Sequence, residues 1–309
     1  MRHFINIKNI SRKDLRKILN DAKKRKYKRK NFSSLELDKD EPLKGKLLIQ
    51  MFEKASLRTR ISFFLAIRQL GGSALTLRPD ELHFSKGGEK ISDTAKIISV
   101  YADAFMIRTD NDSKLDEIYK YIEIPLINGL SPSSHPSQIL SDIFTIEEIK
   151  EKKISNLNIC WIGDCNNVLN SLIEASVKFS FKLNIGCPKK YSPSSKILTW
   201  AKKNKSKLKI FNNPELAIKN SDVVIADKVI SMNDRVNIKK KTSNFKKFKI
   251  NKHLMNLAKN NAIFLHCLPR GDEVSEDVFL GRHSKVWTQA SNRVHVQKSI
   301  LLYCLGKLR

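Results

Sequence analysis

Nowhere in the 309 residues does an apolar run approach the roughly 20 residues that a membrane span needs. The first residues, Met1-Arg2-His3-Phe4-Ile5-Asn6-Ile7, lack the apolar core of a secretory signal. Cysteine is sparse: Cys160, Cys165, Cys187, Cys267 and Cys304 are five, an odd number, with no C-x-x-C pair among them. A disulfide framework and a structural zinc site are therefore not expected, and a reduced, cytoplasmic protein is. Internal repeats and low-complexity domains are absent too. Acidic residues are few beside basic ones, 31 against 58, which leaves a formal net charge of +27.

So basic a chain raises the question of nucleic acid. The densest run, Lys23 to Lys30, ends an amphipathic helix that begins near Ser11. Others lie at Lys202 to Lys209 and Lys239 to Lys249. They fall in separate helix ends and loops, and no nucleic-acid motif accompanies them. The expectation is a solvated lysine surface without a nucleic-acid partner.

What is present is alternation. Apolar strand-like runs at Lys46 to Phe52, Ala74 to Leu77, Ala104 to Arg108 and Ile124 to Asn128 are separated by helical spacings. Those helices cover Ile61 to Leu70, Ile91 to Tyr101, Lys114 to Tyr121 and Gln138 to Lys150. A polar segment, Glu151 to Asn156, marks a junction, after which strand and helix alternate again from Leu157. The stretch Ser231 to Asn251 reads as loop, and a last strand near Val286 precedes a terminal helix, Arg293 to Leu305. This pattern predicts an α/β fold of two doubly wound domains, each a mainly parallel sheet covered by helices on both faces. The expected domains are residues 1–150, with the helix at 290–309 packing back onto them, and 151–289.

Ligands of such sheets bind beyond the carboxyl ends of the strands. The stretch "QMFEKASLRTRISFF" puts Ser56, Arg58, Thr59 and Arg60 where a buried strand turns into a helix. Unpaired backbone N–H groups and the positive end of the helix dipole meet there, which is the chemistry of a phosphate cradle. An ordinary Ser56 N-cap with solvated arginines is the competing reading. Polar residues recur at other strand ends: Arg108, His135-Pro136-Ser137-Gln138, Gly163-Asp164-Cys165-Asn166-Asn167, Asp227, and His266-Cys267-Leu268-Pro269-Arg270. Together they point to a site without naming its reaction.

These motifs, in this order, resemble the aspartate/ornithine carbamoyltransferase family over nearly the whole chain. "SLRTR" is similar to the family's S-T-R-T-R, "HPSQ" to H-P-x-Q, and Arg108 stands at its third phosphate position. "GDCNNVLNSL", "DKVISMND", "HCLPR" and the terminal "NRVHVQKSILLYCLG" resemble the ornithine branch. The resemblance implies transfer of the carbamoyl group of carbamoyl phosphate to the side-chain amine of L-ornithine, giving citrulline and phosphate. It implies that Ser56, Leu57, Arg58, Thr59 and Arg108 hold the phosphate, with Arg293 in the same subsite. Thr59, Arg108 and His135 would donate to the carbamoyl oxygen, and Gln138 and the Leu268 carbonyl would hold the carbamoyl amide. Asn167, Asp227, Ser231 and Met232 would grip ornithine, with Asp227 and Cys267 near the attacking nitrogen. Arg108, His135, Asp227 and Cys267 are thus the expected catalytic set. No metal or organic cofactor is implied.

The chain departs from the family pattern at Leu57, at Asn233 in the ornithine loop, and in the shortened segment after Pro269. N-acylated ornithine and aspartate are the rival acceptors; a nucleic-acid-binding protein or an inactive structural homologue are readings of another class. A homotrimer is implied as well, with the loop from Glu81 to Glu89 completing a neighbour's site and His83 as its candidate contact.

Overall fold

In a computed structural model, residues 1–78, 89–230 and 237–308 are described. The chain divides into two compact units, one of Met1–Phe144 with Ser291–Arg309, the other of Thr145–Ala290. Through the first unit run α1 (Arg12–Lys28), β1 (Leu47–Phe52), α2 (Leu57–Gln69), β2 (Ser73–Leu77), α3 (Ile91–Tyr101), β3 (Ala104–Arg108), α4 (Asp112–Tyr121), β4 (Leu126–Leu130) and the start of α5 (Pro136–Lys150). The second holds β5 (Asn158–Ile162), α6 (Asn167–Phe179), β6 (Lys182–Gly186), α7 (Ser195–Lys203), β7 (Lys207–Phe211), α8 (Pro214–Ile218) and β8 (Val223–Ala226). It continues with α9 (Ile238–Phe245), α10 (Lys252–Leu257), β9 (Ile263–His266), α11 (Glu276–Phe279) and the first turn of α12 (Val286–Cys304).

Both sheets are parallel throughout, in the orders β2-β1-β3-β4 and β7-β6-β5-β8-β9. Central strands covered on both faces must be apolar on both, and β3, β5 and β8 are buried along nearly their whole length. Each sheet starts at an inner strand, runs to one edge, and returns to build the other half. The reversal leaves a crevice between the exits of β1 and β3, and another between those of β5 and β8. Register fixes which residues meet there: Phe52 pairs with Arg108, and Ala226 with His266.

Two expectations fail. The strand near Val286 is the first turn of α12, which starts about two turns before Arg293. The strand-like signal has a source one step upstream, a lone parallel bridge between Phe264 and Ser284. The stretch read as loop holds α9, capped by the Asn237 side chain, which accepts from the Lys240 amide. Its lysines hide the period, because the residues it buries are Lys241 and Phe245. Residues 231–236, which include Ser231, Met232 and Asn233, and residues 79–88, which include His83, lie outside the described residues.

The terminal helix is tied into the first unit by a buried charge. Asp38 accepts from Arg25 at 2.9 Å, Arg29 at 2.9 Å and Lys298 at 2.6 Å, joining α1 to α12. Lys298 is fully buried, and burial pushes its ammonium down to about 8 against the pull of Asp38. Removing one partner of such a buried set leaves charges uncompensated. Asp38→Ala should therefore lower stability by on the order of 3–5 kcal/mol. A urea titration checks this, and an unchanged midpoint would count against the role.

Candidate functional site

In the first unit, Ser56 occupies the N-cap position of α2 but its side chain makes no cap hydrogen bond. The hydroxyl instead accepts from Arg108 Nη1 at 3.1 Å. No acidic residue sits in the first turn of α2 to neutralise the helix start. The competing reading, an ordinary serine cap, is therefore set aside. Leu57 turns its side chain to solvent, 69% exposed, whereas Thr59 is buried. Glu53 braces the two strand exits that carry these groups. It takes the Asp110 amide at 3.2 Å and the Thr109 hydroxyl, and pairs with Lys114, while its own amide donates to the Arg108 carbonyl at 3.0 Å.

Arg293, from α12, reaches the same cluster. Its Nη2 donates to Thr59 Oγ1 at 2.8 Å and its Nη1 to Gln138 Oε1 at 2.6 Å, all three residues being buried. Gln138 Nε2 donates in turn to Asp142 Oδ1 at 2.8 Å, which fixes the amide's orientation. His135, buried one turn before, has its pKa pushed well below the usual value. Burial is the main cause, followed by the charges of Arg293, Arg108 and Arg58. Burial, then Arg58, also lowers Arg108. The structure thus brings together Ser56, Arg58, Thr59, Arg108, His135, Gln138 and Arg293: three guanidiniums around a neutral imidazole at a helix start. Such an arrangement receives an anion and can donate hydrogen bonds to an oxygen gaining negative charge.

In the second unit, Gly163 leaves β5 with φ +139°, a conformation strained for any side chain. Asn166 then caps α6, its Oδ1 accepting from the Val168 and Leu169 amides at 3.0 and 3.2 Å. Its Nδ2 donates to Asp227 Oδ2 at 2.6 Å. Asn166, to which the sequence had given no role, thus holds the Asp227 carboxylate; Asn167 is the first residue of α6, half-buried. Cys267 and Leu268 follow β9, beside the exit that carries Asp227. Leu268 has φ +61° and precedes a cis proline, and its amide donates to His266 Nδ1 at 2.9 Å. Two supporting pairs had no role from sequence reasoning. Lys241 pairs with Asp164 at 2.6 Å, and His266 with Glu273 at 3.0 Å. A buried histidine followed seven residues later by an acid was the available signal for the second pair.

Two doubly wound parallel units, each with a polar cluster at the reversal point of its sheet, define a two-domain α/β ligand-binding fold. Residues 2–148 match the carbamoyl-P binding domain of aspartate/ornithine carbamoyltransferases, and residues 155–304 match the Asp/Orn binding domain. The chain belongs to the aspartate/ornithine carbamoyltransferase family. It is 41% identical over 308 residues to an ornithine carbamoyltransferase of Mesorhizobium japonicum, covering 99% of each chain. To that of Agrobacterium fabrum it is 38% identical, covering 99% of this chain and 98% of the other. Among solved structures, ornithine carbamoyltransferase from Pyrococcus furiosus superposes with a TM-score of 0.91 at 36% identity, covering 99% of this chain and 97% of that one. The anabolic ornithine carbamoyltransferase from Campylobacter jejuni gives 0.89 at 36% identity, with both chains fully covered.

The histidines supply a test in the first unit. His135 and His295, the latter pushed down to about 3 by burial and then by Lys298, are harder to protonate folded than unfolded. The unfolded chain therefore binds the extra protons as pH falls below about 6.5, and stability drops from there toward the folded pKa values. Between pH 7 and 5 each histidine should withdraw up to ~2 kcal/mol. His295→Asn should flatten this decline in urea titrations; an identical decline in both proteins would refute the assignment.

Proposed function

We propose that the chain is an enzyme that transfers the carbamoyl group of carbamoyl phosphate to the side-chain amine of L-ornithine, releasing citrulline and phosphate. The observation that carries the reading is the cluster of Arg58, Arg108 and Arg293 around neutral His135, with Ser56 withheld from its cap. The names of the relatives and the two matched domains support the same substrates.

In this reading the amides of Leu57 and Thr59, the Ser56 hydroxyl, Arg58, Thr59 and Arg108 hold the phosphate, with Arg293 keeping Thr59 and Gln138 in place. As the amine attacks the carbamoyl carbon, a C–N bond forms, the carbon's bond to the phosphate oxygen breaks, and charge builds on the carbamoyl oxygen. Thr59, Arg108 and His135 donate to that oxygen. A neutral imidazole keeps an N–H to donate without adding a fourth positive charge. Gln138 and the Leu268 carbonyl hold the carbamoyl amide. Asn167, Asp227, Ser231 and the Met232 amide take ornithine's α-amino and carboxylate groups, with Asp227 and Cys267 near the nitrogen, which must lose a proton before attack. Positioning and electrostatics carry the rate, and no metal or cofactor enters. The sparse cysteines, five in number without a C-x-x-C pair, favour a cytoplasmic setting. No described helix is long and apolar enough to cross a membrane.

A citrulline assay with ornithine, N-acetylornithine, putrescine and aspartate in parallel tests the acceptor. Ornithine should be used far better than the rest, and Asp227→Ala should cut turnover steeply while sparing carbamoyl phosphate binding. Arg58→Ala should cost on the order of 3 kcal/mol, over a hundredfold in rate or affinity, whereas Leu57→Thr should change affinity by about tenfold or less. Robust carbamoylation of N-acetylornithine or aspartate, or a near-silent Arg58→Ala, would overturn the reading.

We also propose self-association, as the family resemblance implies a trimer. Leu57, Ile61 and Phe64 lie one to two turns apart along α2 and stay 69%, 48% and 43% exposed in the single chain, with Leu75 exposed on the edge strand β2. Sedimentation equilibrium should return three times the chain mass. A monomer at micromolar concentration would reject it.

A further inference from the structure

In the second unit one buried carboxylate touches three pieces of chain that leave the ends of two neighbouring strands. Glu273 Oε1 accepts the Gly271 amide at 2.6 Å and faces His266 Nε2 at 3.0 Å, and its Oε2 accepts the Val229 amide at 3.5 Å. Gly271 and His266 belong to the exit of β9, which carries Cys267 and Leu268. Val229 belongs to the exit of β8, two residues beyond Asp227. The backbone of Glu273 is itself fixed, its carbonyl accepting from Ile250 at 2.8 Å next to the bridge between Ile250 and Val274.

His266 passes this constraint on. Its Nδ1 accepts the Leu268 amide at 2.9 Å, so the ring proton sits on Nε2 and is donated to Glu273. The ring lies against Phe264 and Phe279, and its backbone amide is held by Gln289 Oε1 at 2.9 Å, which leaves the imidazole little room to turn. The hydrogen bond to Leu268 holds a non-glycine residue at φ +61°, a conformation that L-residues adopt only when the surroundings impose it.

We infer that Glu273 is a positioning residue for the acceptor half of the reaction. Through His266, Gly271 and Val229 it sets the spacing between Asp227 on one loop and Cys267 with Leu268 on the next. The inference rests on the function proposed above, which gives those loops to the amine-bearing substrate. Burial works against ionisation of Glu273, yet the hydrogen bonds from His266 and Gly271 outweigh it and hold the carboxyl below the usual range. The acid is thus an acceptor on both oxygens, as three donors require.

Glu273→Gln and Glu273→Leu separate positioning from mere folding. The glutamine keeps one oxygen for His266 and Gly271, but its amide nitrogen faces the Val229 donor. The leucine accepts nothing. In the full-length protein Glu273→Gln should raise the KM for ornithine about tenfold, and Glu273→Leu by a further factor of about ten, with the KM for carbamoyl phosphate within about twofold of wild type. A second readout needs no catalysis: the 15N shifts of His266 should report a single Nε2–H tautomer in wild type and Glu273→Gln, and a mixture in Glu273→Leu. If Glu273→Leu does not fold, Glu273→Gln alone decides. Unchanged KM for ornithine, equal rises for both substrates, or a wild-type His266 protonated on Nδ1 would each overturn the inference. Should wild-type enzyme carbamoylate another acceptor instead, the proposed substrate falls. The KM for that acceptor and the tautomer readout then still test Glu273.

Discussion

Positive charge gathered in a buried place is the constraint on which the first unit depends. Arg293 spends its fork on two neutral oxygens, those of Thr59 and Gln138, so these bonds orient the guanidinium without cancelling its charge. Arg58 and Arg108 add to the same field, which is felt at His135 and at Arg108 itself. Three cations held close repel one another, and the folded chain needs strong contacts elsewhere to keep them there. The Asp38 hub is one such contact, since it ties α12 to α1 through Lys298, about one and a half turns beyond Arg293 on the same helix. An anion with two or more charges relieves the repulsion and accepts the donors at once.

The second unit is organised with the opposite sign. Its loops are held by buried or half-buried carboxylates: Asp164 on Lys241, Asp227 on Asn166, and Glu273 on His266 and two amides. A carboxylate that takes several donors can tie together segments that no backbone ladder joins, and strand exits are such segments. This fits the two chemistries proposed. A phosphate needs fixed donors. An amino acid bearing an ammonium group needs acceptors, and a neutral amine must be presented along a defined line.

How far the chain could be read in advance follows from the same physics. Strands buried on both faces are continuous apolar runs, so β3 was legible to the residue, and the helix between Ile91 and Tyr101 was legible from its helical spacing. The polar residues after them stood out because a parallel sheet places its ligands at those ends. α9 was not legible, since its inward face is made partly of Lys241, whose burial depends on an aspartate far away in sequence. Nor could the role of Asn166 be told, since it caps α6 and the cap is what aims its side chain at Asp227. Glu273 carried no local signal beyond its distance from His266, because the loop it ties to its own is that of Val229, far away in sequence. The serine at position 56 was ambiguous for a related reason. A serine before a helix is a cap by default, and only the placement of Arg108 across the sheet decides otherwise.

The leucine inside the cradle follows from that placement. At the first turn of a helix the groups that point toward the N-terminal end are backbone amides, and every residue except proline has one. The side chain at position 57 leaves the helix sideways, and here it goes to solvent. Threonine and leucine are therefore equivalent toward an anion seated on the helix axis, apart from one hydroxyl. Positions 56, 58 and 59 have no such freedom. Ser56 already holds Arg108, Arg58 contributes charge, and Thr59 holds Arg293. In the proposed site, position 57 is the one place in Ser56-Leu57-Arg58-Thr59 where the backbone alone would meet the anion, so a substitution is expected to be tolerated there. The exposed leucine then serves a different surface, since it continues the apolar line of Ile61 and Phe64 along α2. Departure from the family's threonine should thus remove little from the proposed anion site, while adding apolar area to the face through which copies of this chain are proposed to meet.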